Sequence, residues 1–318
     1  MNFDETTKQW LKQTFGHAVV FDEPMSKHTY FRVGGPADAF VRPETLDELL
    51  ALAGGLRKKD VPYMIIGGGT NLLVKDGGVR GVVISIGKCL KKIIHEGKTG
   101  DDVLVTSGAG VKLQSLCGYA VKQGLHGMNF AIGIPGTVGG SIMMNAGTQY
   151  GCIGDALDAV MILDADVNQK KMKRKNLNFT YRSLNWDSLT KGAQDAQPII
   201  LEADFRLRIS DKQKIKQEAD RFIEQRRLSQ PTHEPSAGCF FKNPAKGKTA
   251  GQLIDMAGLK GKQIGDAGVS PEHANFIVNK GAATAKDILE LKDLVQEAVF
   301  NLFKVKLETE VKIVGSSS

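Results

Sequence analysis

The sequence predicts an α+β fold with more than one domain. The chain has 318 residues, enough for two or three domains and a sizeable core. The first eighty residues mix helical and strand patterns, and short β-forming segments follow from Gly81 onward. Two long amphipathic helical patterns then occupy the last third of the chain. This mixture indicates strands and helices in separate layers or domains.

The N-terminal third predicts two helices and a buried strand. Residues 4–15 have a short apolar face formed by Trp10, Leu11 and Phe15. Thr45 and Glu48 have the capping-box spacing, and apolar residues at helical period follow to Gly54 and Gly55 or slightly beyond. Residues 26–38 predict a loop leading into a short strand. Residues 63–66 form an apolar strand that delivers the chain to a glycine cluster.

The middle of the chain predicts strands at residues 82–86, 103–107, 159–164 and 199–207, and a helix at 113–122. The last strand alternates, which puts four apolar side chains on one face: Leu201, Ala203, Phe205 and Leu207. We therefore expect that face to be buried.

The C-terminal third predicts two long helices and a closing strand. Residues 211–227 place Ile215, Ala219, Phe222 and Ile223 on one side of a helix, and a new domain is expected to start near residue 210. Thr284 and Asp287 cap a second helix. Its apolar stripe comprises Ile288, Leu291, Leu294, Val295, Ala298, Val299 and Leu302. Residues 304–314 alternate and predict a final strand.

Composition indicates a water-soluble protein of the cytoplasm. Hydrophobic residues make up 42% of the chain, which is ordinary for globular proteins. No run of 18 apolar residues predicts a membrane span, and the N-terminus lacks the apolar core of a secretory signal. The four cysteines have neither C-x-x-C nor zinc spacing, so we expect reduced thiols and no metal.

The formal charge of +7 favours anionic partners without choosing among them. The densest basic run, residues 170–175, is interpreted as a solvated hairpin turn. A nucleic-acid patch would interleave aromatic residues and extend more widely. A nonenzymatic nucleic-acid-binding protein is therefore an alternative that depends on the charge alone. We expect a monomer without nucleic-acid or membrane partners.

Residues 133–147, GIPGTVGGSIMMNAG, contain five glycines and predict a loop rather than a helix or core strand. A second cluster, Gly67-Gly68-Gly69-Thr70-Asn71, follows the strand at 63–66. Successive exposed amides bind anions, so two such loops favour one diphosphate ligand. Neither loop matches the Rossmann or P-loop pattern.

The motifs GGGTNLLV, GIPGTVGG and NAG together resemble the UDP-N-acetylenolpyruvoylglucosamine reductase (MurB) family, and the resemblance extends to Val314. Within the family, the sequence is similar to the branch that lacks an extra substrate-capping loop. The resemblance implies a vanillyl-alcohol-oxidase (PCMH-type) FAD-binding fold of two lobes, residues 1–80 and 81–209. A C-terminal α/β substrate-binding domain would occupy residues 210–315.

The resemblance also implies an activity. FAD and NADPH would reduce UDP-N-acetylglucosamine enolpyruvate to UDP-N-acetylmuramate, in peptidoglycan precursor synthesis for cell-wall growth and division. The alternative within the same fold is an FAD-linked oxidase acting on a hydroxy acid or a sugar.

Three catalytic residues follow from the resemblance. Arg182 would bind the enolpyruvyl carboxylate. Cys239 stands where the family usually has a serine, and would donate a proton to the substrate. Periodicity puts Glu308 and Glu310 on one strand face without choosing between them. The family motif selects Glu310.

Binding residues carry over in the same way. The expected cofactor-binding residues are Gly67, Gly68, Gly69, Thr70, Asn71, Gly133, Pro135, Gly136, Thr137, Gly139, Gly140, Asn145 and Gly147. The expected substrate-binding residues are Tyr181, Lys242, Asn243, His273 and Asn275. Gln149 stands where relatives commonly have a tyrosine, with Tyr150 adjacent, and Arg226 and Arg227 are open to either a phosphate-binding or a solvated role.

Overall fold

The computed structural model describes residues 3–186 and 198–317. The helices of these residues are α1 Glu5–Phe15, α2 Leu46–Lys58, α3 Leu113–Gln123, α4 Val138–Met143, α5 Ile153–Ala156, α6 Lys212–Ser229, α7 Ala250–Met256 and α8 Ala285–Phe303. The strands are β1 Val19–Pro24, β2 Pro36–Val41, β3 Tyr63–Ile66, β4 Leu72–Val74, β5 Val79–Ser85, β6 Ile93–Thr99, β7 Asp102–Gly108, β8 Leu125–His126, β9 Gly147–Thr148, β10 Gly151–Cys152, β11 Leu157–Leu163, β12 Gln169–Lys173, β13 Asn178–Thr180, β14 Ser183–Asn185, β15 Ile199–Ile209, β16 Ser236–Cys239, β17 Gln263–Ile264, β18 Ala267–Val269, β19 Phe276–Asn279 and β20 Lys312–Val314.

The chain divides into two compact units that interleave along the sequence. The first unit comprises residues 1–19, 41–68 and 83–225. The second comprises residues 20–40, 69–82 and 226–318. The three domains expected from the sequence, with boundaries at residues 80/81 and 209/210, are a different division of the chain and stay a prediction.

The first unit is built on an antiparallel sheet with the order β12-β11-β15-β7-β6. Strand β15 is central, and its predicted apolar face is buried as expected. Ile200 and Asp204 on the opposite face are buried as well. Asp204 accepts a hydrogen bond from the Thr106 hydroxyl at 2.6 Å and pairs with Lys171 at 2.7 Å, so its charge has partners.

Helices α1 and α2 confirm the N-terminal prediction, with one difference in length. Asp4 caps α1 by accepting a hydrogen bond from Thr7, and Thr45 caps α2 in the same way through Glu48. Helix α2 continues through Gly54 and Gly55 to Lys58. A Cβ atom at Gly55 would collide with the Trp10 ring, so this glycine serves helix packing rather than helix termination.

Two predictions in the first unit are wrong. The basic run is not a hairpin turn, because residues 169–173 form strand β12 with exposed lysines, paired to β11. The glycine-rich run is not wholly a loop, because α4 forms at Val138–Met143 with Thr137 as its cap. Tertiary contact explains α4: a Cβ atom at Gly139 would lie 2.9 Å from that of Ala109, so glycine lets the helix pack closely here.

The second unit packs α7 and α8 against a small antiparallel sheet with the order β16-β19-β18-β17. Thr284 and Asp287 form the predicted capping box of α8. Both carboxylate oxygens of Asp76 also accept hydrogen bonds from the first amides of α8, Ala285 and Lys286, each at 2.9 Å. Asp76 therefore attaches the segment after the first glycine cluster to this helix.

The predicted final strand is shorter than expected. Only Lys312–Val314 form a strand, β20, and it pairs in parallel with β4. Residues 304–311 lack a continuous ladder, although Phe241 and Thr309 form an isolated bridge. The alternating burial of Leu307 and Val311 is real, but it comes from packing into the core of the second unit.

Two helical faces are narrower than predicted. Ile215, Ala219 and Phe222 of α6 are buried, but Ile223 is 50% exposed. On α8, Leu302 is 61% exposed at the helix end. No helix among the described residues is long and apolar enough to cross a membrane.

Candidate active site

The first residue of the first glycine cluster, Gly67, contacts the main glycine loop within the first unit. A Cβ atom at Gly67 would collide with the Thr137 hydroxyl, so the first cluster touches the start of α4. Within the first unit's described residues, the amides of Gly67, Gly68, Gly136 and Thr137 donate no loop or turn hydrogen bond to a backbone carbonyl. Exposed amides near a helix start are typical of anion-binding sites, and the predicted binding of a diphosphate by these loops stays a prediction.

The side chain of Gln114 forms hydrogen bonds with the main glycine loop. This residue was not identified from the sequence. Its side-chain amide donates to the Ile134 carbonyl at 2.6 Å and to the Ala131 carbonyl at 3.3 Å. Its carbonyl accepts from the Gly133 amide at 3.1 Å. Gln114 lies in α3 without any local motif, so only the folded chain reveals this role.

Other residues of this loop are positioned by their backbone conformation or by hydrogen bonds within the protein. Gly136 has φ 120°, which an L-residue adopts only with strain. Asn145 is buried, accepts from the Gly154 amide at 3.2 Å and donates to the Thr180 carbonyl at 3.0 Å. Its side chain therefore positions the loop, while the proposed cofactor contacts of Pro135, Gly139, Gly140 and Gly147 stay predictions.

Arg182 is attached to the end of the same loop. Its guanidinium donates to the Gly147 carbonyl at 2.8 Å and lies 5.2 Å from the centre of the exposed Tyr181 ring. Its backbone has φ 59°, an unusual conformation for a large side chain that is common at functional sites. The structure thus brings Arg182 next to the glycine-rich loop, within the first unit.

Gly69, Thr70 and Asn71 belong to the second unit. Gly69 has φ 62°, and a Cβ atom there would collide with the His28 carbonyl, so only glycine fits. The Tyr30 amide donates to the Gly69 carbonyl at 3.0 Å. The side chain of Asn71 donates to the Glu310 carbonyl at 3.0 Å, which links the first glycine cluster to a predicted catalytic residue.

Cys239 and Glu310 lie on neighbouring segments of the second unit. Strand β16 has a bulge between Ser236 and Cys239, and Gly238 has φ 77° there. Such a bulge redirects the next side chain, and Cys239 is half-buried. The following residue, Phe240, accepts a hydrogen bond at its carbonyl from the Glu310 amide at 2.8 Å. The backbones of both predicted catalytic residues are therefore joined through Phe240.

The two acids of the C-terminal segment have different surroundings. Glu308 has a 74% exposed side chain and lies 3.6 Å from the Lys242 ammonium group. The Lys242 amide also donates to the Glu308 carbonyl at 2.8 Å. Glu310 is only partly exposed and has the backbone contacts described above. This difference distinguishes the acids where periodicity could not.

Three of the predicted substrate residues make contacts within the protein. Asn275 is buried, and its side chain bonds both the amide and the carbonyl of Phe241, at 2.9 and 2.8 Å. Asn243 accepts from the Ala250 amide at 3.0 Å, at the start of α7. Burial lowers the pKa of His273, so it is neutral at pH 7, and its Nδ1 accepts from the Asn275 amide at 3.2 Å. These contacts support the Cys239 segment, whatever else the residues bind.

The sequence did not assign a role to Tyr150. Its ring stacks on Phe222 of α6 with ring centres 4.4 Å apart. Its hydroxyl lies 3.4 Å from the Gln225 side-chain oxygen. Arg226 donates to the Gln230 side chain at 3.0 Å. Among the described residues no cluster of His, Cys, Asp and Glu could hold a metal ion.

The cysteines differ in their surroundings, and this gives a prediction. Burial raises the pKa of Cys117 to about 12 and that of Cys89 to about 11. At pH 8 these thiols stay protonated, and only the thiolate reacts with alkylating agents. Iodoacetamide should therefore modify both at least ~100-fold more slowly in the folded protein than in denaturant, as measured by peptide mass spectrometry. Equal rates in the two states would contradict the burial that the structure shows.

Two protein-family models match the sequence of this chain. The FAD-binding domain family matches residues 37–172. The C-terminal domain family of UDP-N-acetylenolpyruvoylglucosamine reductase matches residues 230–314. The predicted α+β fold with an FAD-binding domain and a C-terminal domain is thereby confirmed.

Individual relatives cover nearly the whole chain. The UDP-N-acetylenolpyruvoylglucosamine reductase of Desulfosudis oleivorans is 46% identical over 98% of this chain and 99% of its own. That of Clostridium botulinum is 43% identical over 94% of each chain. The crystal structure of the Thermus caldophilus reductase has a TM-score of 0.76 and 36% identity, and the match covers 93% of this chain and 97% of that chain. The chain therefore belongs to the UDP-N-acetylenolpyruvoylglucosamine reductase family.

Proposed function

We propose that this protein catalyses the NADPH-dependent, FAD-mediated reduction of UDP-N-acetylglucosamine enolpyruvate to UDP-N-acetylmuramate, a step of peptidoglycan precursor synthesis. The observation that carries the proposal is the contact of Gly67 with the main glycine loop, beside four amides that donate no loop or turn hydrogen bond to a backbone carbonyl within the described residues. Family membership supplies the reaction.

The residues present fit FAD. Its diphosphate needs several donors at close range, and the amides of Gly67, Gly68, Gly136 and Thr137 supply them without a side chain in the way. When bound, FAD supplies hydride transfer, from NADPH to the terminal carbon of the enolpyruvyl double bond. The glycines would hold the diphosphate, and Gln114 would keep the loop in place for it.

The protein's own residues handle the substrate carboxylate and the proton. Arg182 is permanently charged and would bind the carboxylate, where negative charge grows as the double bond is reduced. Glu310, holding a proton, would donate a hydrogen bond to the same developing charge. Cys239 would give its proton to the carbon beside the carboxylate, which completes the addition of one hydride and one proton. Tyr181, Lys242, Asn243, His273 and Asn275 would bind or support the substrate.

The proposal is tested by anaerobic spectra of the purified protein. The flavin absorbance should disappear on addition of NADPH and return when the enolpyruvyl substrate is added. Flavin that is reduced by NADPH but not reoxidised by this substrate would refute the assigned reaction. Rapid oxygen consumption with hydroxy acids or sugars would instead support the oxidase alternative, which the comparisons do not favour.

We also propose that the enzyme acts as a monomer in the cytoplasm. All four cysteines are free thiols, which is typical of a reducing compartment. Size-exclusion chromatography with light scattering should give the mass of one chain, 34.4 kDa. A mass of two chains would contradict the monomer.

A prediction separates the two acids of the C-terminal segment. Glu310→Gln should lower turnover by roughly 10²-fold or more, because an amide N–H is a far weaker acid than a carboxylic O–H and stabilises the developing charge less. Glu308→Gln should stay near the parent rate, because that side chain is 74% exposed and its ion pair with Lys242, at 3.6 Å, is a surface pair. Steady-state kinetics of both variants decides the matter, and equal losses would mean that Glu310 has been chosen wrongly.

A further inference from the structure

We infer that Asn71 is a positioning residue for Glu310, and that it joins the first glycine cluster to the residue that acts on the substrate's charge. The inference rests on the proposed function. It gives Asn71 a role beyond contact with the cofactor, which was the expectation from its motif. The contacts that support it all lie within the second unit.

The backbone of Glu310 is held on both sides. Its amide donates to the Phe240 carbonyl at 2.8 Å, and its carbonyl accepts from the Asn71 side chain at 3.0 Å. The Asn71 carbonyl in turn accepts from the Lys312 amide at 3.1 Å. Asn71 therefore brackets Glu310, with one contact at the residue itself and another two residues later.

This bracket matters because Glu310 lies outside regular structure. Strand β20 begins only at Lys312, where it pairs in parallel with Leu72 of β4. The residues before it have an isolated bridge at Thr309 rather than a ladder. With no ladder at residue 310, the hydrogen bonds at its amide and its carbonyl fix the position of the Glu310 backbone, from which its side chain extends.

The Asn71 side chain also connects two functions across the sequence. Gly69 and Thr70, directly before it, belong to the cluster expected to meet the cofactor, and the Gly69 backbone is packed against the His28 carbonyl. The Phe240 contact attaches the same glutamate to the segment of Cys239. The cofactor loop, the charge-stabilising acid and the proton donor are thus joined by two hydrogen bonds through Glu310.

The test uses Asn71→Asp in the FAD-loaded protein. Aspartate has the same shape, but its ionised carboxylate cannot donate to the Glu310 carbonyl. Reduction of the flavin by NADPH should slow less than reoxidation does, because Glu310 acts only on the substrate. Reoxidation by the enolpyruvyl substrate should slow by roughly 10–100-fold, since a displacement of about 1 Å can cost 10²-fold.

The matched control is Asn279→Asp. Asn279 is a buried asparagine of the same unit whose side-chain amide also donates to a backbone carbonyl, that of Phe31, at 2.9 Å. It should lower thermal stability without slowing reoxidation selectively. Hydrogen exchange of the protein without FAD adds a readout independent of activity. Residues 309–312 should exchange faster in Asn71→Asp than in the parent, and at the parent rate in Asn279→Asp.

A double-mutant cycle with Glu310→Gln shows whether Asn71 acts through that residue. If it does, adding Asn71→Asp to Glu310→Gln should slow reoxidation by no more than about twofold further, because the positioned group is already lost. If Asn71→Asp slows reoxidation as much in the Glu310→Gln protein as in the parent, the inference is overturned. Parent-rate reoxidation of Asn71→Asp, or failure of both Asn71→Asp and Asn71→Ala to bind FAD, would also overturn it. A parent protein that is not reoxidised by the substrate would instead refute the proposed function.

Discussion

Cys239→Ala should still be reduced by NADPH at close to the parent rate, while its reoxidation by the enolpyruvyl substrate slows by roughly 10²–10⁴-fold. The first step needs no proton from this residue, whereas the second ends with protonation of the substrate carbon. The bulge before Cys239 redirects its side chain, which is half-buried. Stopped-flow absorbance of the flavin measures the two steps separately.

Two further variants define the role of the thiol. Cys239→Ser should recover much of the lost rate, because a hydroxyl of similar geometry can donate the proton, and it should resist peroxide better than the parent. Cys89→Ala is the matched control: it removes a half-buried thiol that donates to the Ile86 carbonyl at 3.5 Å, away from the predicted catalytic residues in sequence. Reoxidation of Cys239→Ala at the parent rate would show that another group or water supplies the proton.

Gly136→Val should purify without flavin, or with much weaker flavin binding, and therefore with almost no activity. Gly136 has φ 120°, which valine cannot adopt without strain, and its amide is one of the four that donate no loop or turn hydrogen bond to a backbone carbonyl within the described residues. A β-branched side chain would both move that amide and occupy space close to the diphosphate. The ratio of flavin to protein absorbance measures the loss.

The matched control for that variant is Gly118→Val. Gly118 lies in α3 of the same unit, its φ is not positive, and a Cβ atom there would meet nothing within 4 Å. It should retain full flavin and nearly full stability, because valine is a better helix former than glycine. Full flavin occupancy in a folded Gly136→Val protein would refute the assignment of this loop to the cofactor.

Features set by neighbouring residues could be predicted from sequence, and features set by distant contacts could not. Thr45 and Thr284 cap their helices as predicted, because a cap needs only the residues three positions ahead. Helix α4 was missed because glycine is a poor helix former locally, and only packing against Ala109 explains it. The interleaving of the two units could not be predicted for the same reason, because β4 pairs with β20, a strand about 240 residues later in the sequence.

The same distinction between local and distant contacts decides which features of the candidate site could be predicted. The glycine clusters could be located by composition, and family resemblance selected Arg182, Cys239 and Glu310. Sequence could not reveal Gln114 beneath the main loop, because a glutamine in a helix has no distinguishing pattern. Nor could it show that the side chain of Asn275 binds both backbone groups of Phe241, since that pairing needs the folded sheet.

Strand β12 has a consequence for how this protein behaves at high concentration. It lies at one end of the described sheet, where backbone groups can pair with a strand from another molecule. Lys170 and Lys173 are exposed along it, while Lys171 pairs with Asp204 of its own molecule. A second copy approaching edge to edge would bring lysines against lysines, and their repulsion opposes stacking into fibres. Part of the net positive charge thus protects against self-association, and need not report on any ligand.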